Sequence, residues 1–237
     1  MHQLATTPEQ QFAALLAADQ SRPFVTYYDE SSGERAELSV KSLTNWVVKT
    51  HHLLGTELGL GVGDTAFIAL PAHWISVPVL LGCLTAGLAI NDETPADVAF
   101  VAPDTLDTAR DVTDVFVIAP ELAAVGLRGE APPPAQDYVA AVRPHEDKWP
   151  SVQLTGSPDD ACLPGRSRGE VAELAAASGL PPGARILTTR SWADPQDWID
   201  TVLAPIAVGG SVVIVANCPD EAVVARRMEQ ERATIRR

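Results

Sequence analysis

Lysine is scarce in this chain. Lys41, Lys49 and Lys148 are the only three in 237 residues, and arginine completes a basic total of 17 against 31 acidic side chains. The resulting formal charge of −14 excludes two partner classes. Nucleic acid is bound chiefly by Lys and Arg meeting phosphates, and an anionic membrane surface is bound by basic clusters. Cysteine is equally sparse. Cys83, Cys162 and Cys218 form no C-x-x-C pair and no zinc spacing, and an odd, scattered count fits a reducing compartment. Long apolar runs are missing as well. The most apolar stretch, Ile75 to Ile90, falls short of a bilayer span and is interrupted by Pro78, Gly82 and Gly87. The opening MHQLATTPEQQF has no basic region followed by an apolar core, so no secretory signal is read there. A cytoplasmic protein is expected. No Ser-His-Asp set, activated Cys or carboxylate pair stands out, and no metal or cofactor is expected.

What is present is a folded α/β pattern. Apolar residues make up 46% of the chain, enough for a sizeable core. Thr7 reads as an N-cap with Pro8 at the first helical position. PFVTYYD and RAELS flank the turn SSGE as a hairpin. Ser39 caps a helix whose apolar residues Leu43, Trp46, Val47, Leu53 and Leu54 recur at helical spacing. TAFIAL, DVAFVAP, DVFVIAP, RILTT and SVVIVA are continuous apolar runs, SVQLT is a further strand candidate, and helical segments lie between them. That alternation predicts parallel sheets flanked by helices on both faces. Trp74 to Leu84 reads as helix, GLRGEAPPPAQ as loop, and Asp137 to Val142 as a short helix. Ser167 and Glu170 have capping-box spacing before an Ala-rich helix. Asp194 caps a helix that Pro205 ends or kinks, and Pro219 to Arg232 forms a terminal helix.

Several motifs have plain readings. Gly59, Gly61 and Gly63 mimic a dinucleotide fingerprint, but that fingerprint needs a strand first and a helix second. Here the order is reversed, so these glycines are read as a turn. His51 and His52 are adjacent, point about a quarter-turn apart on a helix, and are read as surface or boundary residues. Asp159 and Asp160 read as a solvated turn pair. His73 ends the TAFIAL strand, where α/β proteins place ligands, although a packing role is the commoner one. Arg190, Ser191 and Trp192 follow the RILTT strand and, with His73, form the candidate ligand-binding set.

The run LGVGDTAFIALPAHWISVPVLLGCLTAGLAI, Leu60 to Ile90, resembles the opening of the adenylate-forming enzymes: acyl-CoA synthetases, peptide-synthetase adenylation domains and luciferases. Leu38, Ser39 and Leu43 sit where those enzymes carry L-(T/S)-Y-x-E-L, with Val40 and Ser42 replacing the Tyr and Glu. Leu84, Ala86 and Gly87 match the following L-x-A-G. ARILTTRSWADPQDWIDTVLAPIAVGGSVVIV resembles a later strand, substrate-side loop, helix, Gly-Gly turn and strand. Glu231, Arg232 and Thr234 match E-R-x-T.

The resemblance implies two interlocked lobes, one near 65–178 and one from 1–64 with 185–237. It also implies that Arg190 to Trp192 line an acyl pocket. Where the family carries T-S-G-T-T-G-x-P-K-G to wrap ATP phosphates, this chain reads DDACLPGRSRGEV. Asp159, Asp160 and Ala161 resemble the residues before that loop, and Pro164 and Gly165 its end. Arg166 and Arg168 offer charge without a Gly-rich cradle. No lysine follows Lys148, and the sequence stops before the family's magnesium-binding Glu, ribose-binding Asp and catalytic-Lys domain. The expectation is a non-catalytic relative that binds a protein partner, a second copy of itself, or an acyl or nucleotide ligand. The alternatives are half of a split ligase completed by a partner chain, and a small-molecule-binding regulator. An incomplete sheet implies an edge that is paired in a dimer or shielded by the N-terminal hairpin.

Overall fold

The computed structural model describes residues 6–120, 125–127, 129–150 and 156–237. The candidate strand SVQLT, 151–155, lies outside them. The chain divides into two compact units, Met1–Leu43 with Ala72–Trp74 and Gly169–Arg237, and Thr44–Pro71 with Ile75–Arg168.

The first unit is built on five strands in the order β12-β10-β11-β1-β2. They are β1 (Pro23–Asp29), β2 (Arg35–Ser39), β10 (Arg185–Thr188), β11 (Ser211–Ala216) and β12 (Ile235–Arg236). All pairings are parallel except β1 with β2. Phe24 to Tyr28 are buried without alternation because β1 lies inside the sheet. β2 is the outermost strand and carries Arg35 and Glu37, charges that suit an edge. The N-terminal hairpin therefore occupies one edge of this sheet.

Helices cover the sheet. α1 (Pro8–Ala18) starts at the Thr7 cap, whose side chain accepts from Gln10 N, and Gln11 Nε2 ties it to Ala172 O at 3.0 Å. That carbonyl belongs to α5 (Arg168–Ala176). Asp194 caps α6 (Pro195–Trp198), which passes through a π-helical stretch, Ile199–Leu203, into α7 (Ala204–Ala207). The wider turn precedes Pro205, with Ala204 N–H bonding to Ile199 O, and the helix ends at Ala207, two residues beyond the residue that lacks an N–H. α8 (Glu221–Glu231) begins at Asp220, which accepts from Val223 N. Val224 of α8 packs on Tyr28, Leu187, Val213 and Val215, the alternating residues of one sheet face.

The second unit holds an all-parallel sheet, β4-β3-β5-β6-β7. Its strands are β3 (Thr65–Ala69), β4 (Ala89–Asn91), β5 (Val98–Val101), β6 (Asp114–Val117) and β7 (Gln136–Asp137). One face is closed by Phe67, Ala99, Val101, Val115 and Val117, packed with Ala109 and Val112 of the short 3-10 segment and its exit. On the other, Phe100 stacks with Phe116 at 5.5 Å and meets Tyr138 edge-on at 5.8 Å. Tyr138 opens α4 (Tyr138–Val142) and shares a 2.7 Å hydrogen bond with Thr50 Oγ1. Thr50 belongs to α2 (Val40–His52), a helix capped by Ser39, and the division between the units falls inside it. α3 (Ser76–Ala86) is buried on every side, so it is apolar all round and lacks a polar face. It ends at Gly87 with φ 99°, a left-handed conformation that glycine adopts without strain.

The glycines Gly59 and Gly63 also have positive φ, and Gly61 N–H bonds to Asp64 Oδ2 at 2.8 Å. They form a turn into β3, as read from the sequence. One expected polar loop is partly ordered. The stretch around residues 161–167 forms a small antiparallel hairpin of β8 (Ala161–Leu163) and β9 (Arg166–Ser167), turning at Pro164 and Gly165.

Candidate functional site

The β8–β9 segment occupies the stretch of sequence, DDACLPGRSRGEV, in which the resemblance places the phosphate-wrapping loop. Its backbone donors are turned to local partners. Ser157 N–H bonds to Asp160 Oδ2 at 2.6 Å, Asp159 N–H to Ser157 Oγ at 3.4 Å, and Asp160 N–H to Ser157 O at 3.0 Å. Arg168 N–H bonds to Asp160 O at 2.9 Å. Asp159 and Asp160 thus belong to a closed turn.

The Arg168 side chain does not offer its charge to solvent, contrary to the sequence reading. It is 0% exposed, and its two terminal nitrogens donate to Leu84 O at 3.0 Å and Leu88 O at 2.9 Å. These carbonyls lie at and beyond the C-terminal end of α3, where unsatisfied acceptors and the helix dipole favour a cation. A Cβ at Gly156 would come within 2.6 Å of Arg168 Cδ and closer still to its Nε, so any larger residue there would displace the arginine.

In the first unit, Arg190 and Trp192 follow the carboxyl end of β10. Arg190 N–H bonds to Thr188 Oγ1 at 3.2 Å. One terminal nitrogen of Arg190 reaches Asp197 Oδ1 at 3.0 Å and Asp200 Oδ2 at 2.8 Å. The hydrogen bond that the guanidinium donates to Asp200, then that to Asp197, keep it charged and push its pKa up. Sequence reading missed these two aspartates. Their spacing of three along one helix, just after the loop, is the signal that would have found them. Trp192 has φ 59°, unusual for a bulky residue. Its ring is 5% exposed and lies 4.6 Å from that of Trp198. Its indole N–H makes no hydrogen bond among the described residues. Ser191 lies between them and is exposed.

His73 lies near the carboxyl end of β1. Its ring is 4.2 Å from that of Tyr27 and 5.6 Å from that of Trp74, and Nε2 is 3.9 Å from Glu34 Oε1. Burial, opposed only by the charge of Asp29, pushes its pKa down to about 3, so the imidazole is neutral near pH 7. The groups around His73 come from β1, its turn and Trp74, whereas those around Arg190 come from β10 and α6 and the π-helical stretch that follows.

His51, read from the sequence as a surface or boundary residue, lies on the inner side of that boundary. It is buried, its ring meets Trp149 edge-on at 5.6 Å, and burial lowers its pKa. His52 Nε2 is 2.8 Å from Lys148 O, and His145 Nε2 is 3.0 Å from Glu57 Oε2. These contacts fasten the segment after α4 to the end of α2 and to the π-helical stretch, Leu53–Glu57, that follows it. Among the described residues, no cluster of His, Cys, Asp or Glu could hold a metal ion, and no helix is long and apolar enough to cross a membrane.

Largely parallel sheets flanked by helices, in this strand order, define a fold found in acyl-CoA and aryl-CoA synthetases. An acyl-CoA synthetase of Brucella canis superposes with a TM-score of 0.79 at 13% identity, over 97% of this chain and 46% of its own length. The anthranilate CoA ligase AuaEII, in complex with anthranoyl-AMP, gives 0.72 at 15% identity over 99% and 50%. The acetoacetyl-CoA synthetase of Streptomyces lividans gives 0.75 at 18% identity over 97% and 42%. The chain therefore spans half or less of the length of these enzymes. No family model matches the sequence. A Mycobacterium tuberculosis (strain ATCC 25618 / H37Rv) protein described as a TIGR03089 family protein is 40% identical over 231 residues, 93% of each chain. The present chain belongs to the TIGR03089 family.

Proposed function

We propose that this protein is a non-catalytic member of the adenylate-forming fold that acts by binding. The observation that carries this reading is the closed segment 156–168. A polyphosphate is held by a row of backbone N–H groups and a cation facing one concavity. Here the N–H groups of Ser157, Asp159, Asp160 and Arg168 serve the segment's own turn and hairpin, and the Arg168 guanidinium serves the end of α3. The bound occupant meets the Arg190–Trp192 loop. A bulky residue held at positive φ with an unpartnered buried donor is strain of the kind that collects at binding sites. Arg190 is already neutralised by two aspartates, so the loop favours an acyl or aryl group against the paired indoles over a phosphate. The test is ATP–pyrophosphate exchange by the purified chain across a panel of carboxylic acids. No exchange is expected with any acid, and acid-dependent exchange above background would overturn the reading.

A further inference from the structure

A second polar site lies at the opposite end of the same sheet. The strands β1, β10 and β11 are parallel, and their amino ends surround a cleft of about 430 Å³. Its wall includes Arg22, Glu37, Arg185, Ser211, Glu231 and Arg232. The apolar face under α8 ends here because Thr26, Ser211 and Arg185 continue the alternation of Tyr28, Val213 and Leu187 with polar side chains.

The floor of the cleft is internally satisfied. Arg185 donates to Glu231 O at 2.8 Å, Ser211 Oγ at 3.1 Å, Thr26 Oγ1 at 2.8 Å and Glu231 Oε2 at 2.6 Å. Tyr28 O–H donates to the other oxygen of Glu231, and Arg35 lies 3.6 Å from it. Glu37 Oε2 accepts from Arg35 at 2.7 Å and Thr26 at 3.2 Å. Both carboxylates are thereby matched by Arg185 and Arg35. The rim guanidinia of Arg22 and Arg232 remain. Among the described residues neither makes a side-chain hydrogen bond or an ion pair, and Arg22 interacts with the charge of Asp19 only through space and through its backbone N–H. Arg232 has φ 52° and ends α8, which brings it to the rim. Gln230 adds an amide whose oxygen is engaged by Arg227 at 2.7 Å, leaving its donor end for the cleft.

We propose that this cleft binds a compact multivalent oxyanion, a phosphate ester or a small polycarboxylate, between Arg22 and Arg232. Guanidinium forks match the paired oxygens of both chemistries, and the volume is that of a small-molecule site. The chain as a whole, at −14, repels anions, but that field is screened within about 8–10 Å at physiological salt. The acidic surround also disfavours an acidic polymer, which would extend beyond the cleft. This site is independent of the one at Trp192, since it occupies the other end of β10.

The experiment is isothermal titration of the whole chain at fixed ionic strength, in buffer stripped of metal ions, with pyrophosphate, citrate and a ten-residue glutamate peptide as probes. Saturable binding of pyrophosphate or citrate is expected, and whichever binds more tightly identifies the source chemistry. R22Q and R232Q should each weaken it about tenfold, the loss of one charge-assisted contact, with the unliganded melting temperature unchanged because neither residue supports the floor. No saturable binding of either small anion, equal affinity in the R22Q/R232Q double variant, or binding of the peptide alone would overturn the proposal.

Discussion

Replacing Arg168 by Met tests whether this arginine holds the fold together or is a residue kept for an anion. The substitution preserves most of the stem that packs on Gly156 but removes the fork. Two charge-assisted bonds, to Leu84 O and Leu88 O, are lost. At about 1.5–3 kcal/mol each they represent about 3–6 kcal/mol. Relief from burying a guanidinium offsets part of this. Gly87 N–H still serves Leu84 O at 3.1 Å, so Leu88 O is the acceptor left dry. A net destabilisation of about 3 kcal/mol follows, a substantial part of the 5–15 kcal/mol typical of a domain. Urea unfolding followed by circular dichroism reads it as a midpoint lowered by about 1 M or more, taking a slope of about 1–3 kcal/mol/M. R168K should recover little, because an ammonium has no planar fork to span two carbonyls. An arginine reserved for a phosphate predicts the reverse: neutralising it would leave the fold intact and abolish anion binding. A loss below about 1 kcal/mol, or full rescue by lysine, would refute the structural role.

Two further outcomes are expected. His73 has a folded pKa depressed to about 3 by burial, so its contribution is present above the unfolded value near 6.5 and is lost as pH falls towards 3. Asp29, Glu34, Tyr27 and Trp74 face it. H73Q should flatten the acid limb of the stability profile between pH 6.5 and 4, where the wild type loses up to about 1.4 kcal/mol per pH unit, and an unchanged limb would show that the carboxylates alone set it. G82A would place a Cβ 2.5 Å from Thr50 Cβ and Cγ2, an overpacking cost of about 1–3 kcal/mol. Thermal unfolding would show this as a lowered midpoint, and an unshifted one would mean that α2 and α3 are not held at that separation.

Much of the fold was legible because it is written in uninterrupted apolar strands and helix caps. TAFIAL, DVAFVAP, DVFVIAP, RILTT and SVVIVA are strands, and Thr7, Ser39 and Asp194 cap helices where side-chain oxygens precede apolar periodicity. The short strands β4, β7, β8, β9 and β12 were not legible, since two or three residues carry no periodicity and exist only by pairing. Arg168 misled for a related reason. Sequence shows its charge but not the two carbonyls, 84 and 80 residues away, that draw it inside. The neutralisation of Arg190 by Asp197 and Asp200 was readable from spacing. The amino-end cleft was not, because Arg22, Arg185 and Arg232 converge only through strand order.

That strand order also constrains when the chain can fold. β1 ends at Asp29, but its parallel partner β11 does not begin until Ser211. On the ribosome the apolar segment PFVTYYD must wait for about 180 further residues to emerge before its inner edge is paired. Residues 44–168 supply the second unit almost without interruption and are free to collapse first. Long-range parallel pairing is the slow step of such topologies and the one most exposed to aggregation. The waiting β1–β2 hairpin is therefore the segment that a nascent-chain chaperone would have most reason to hold.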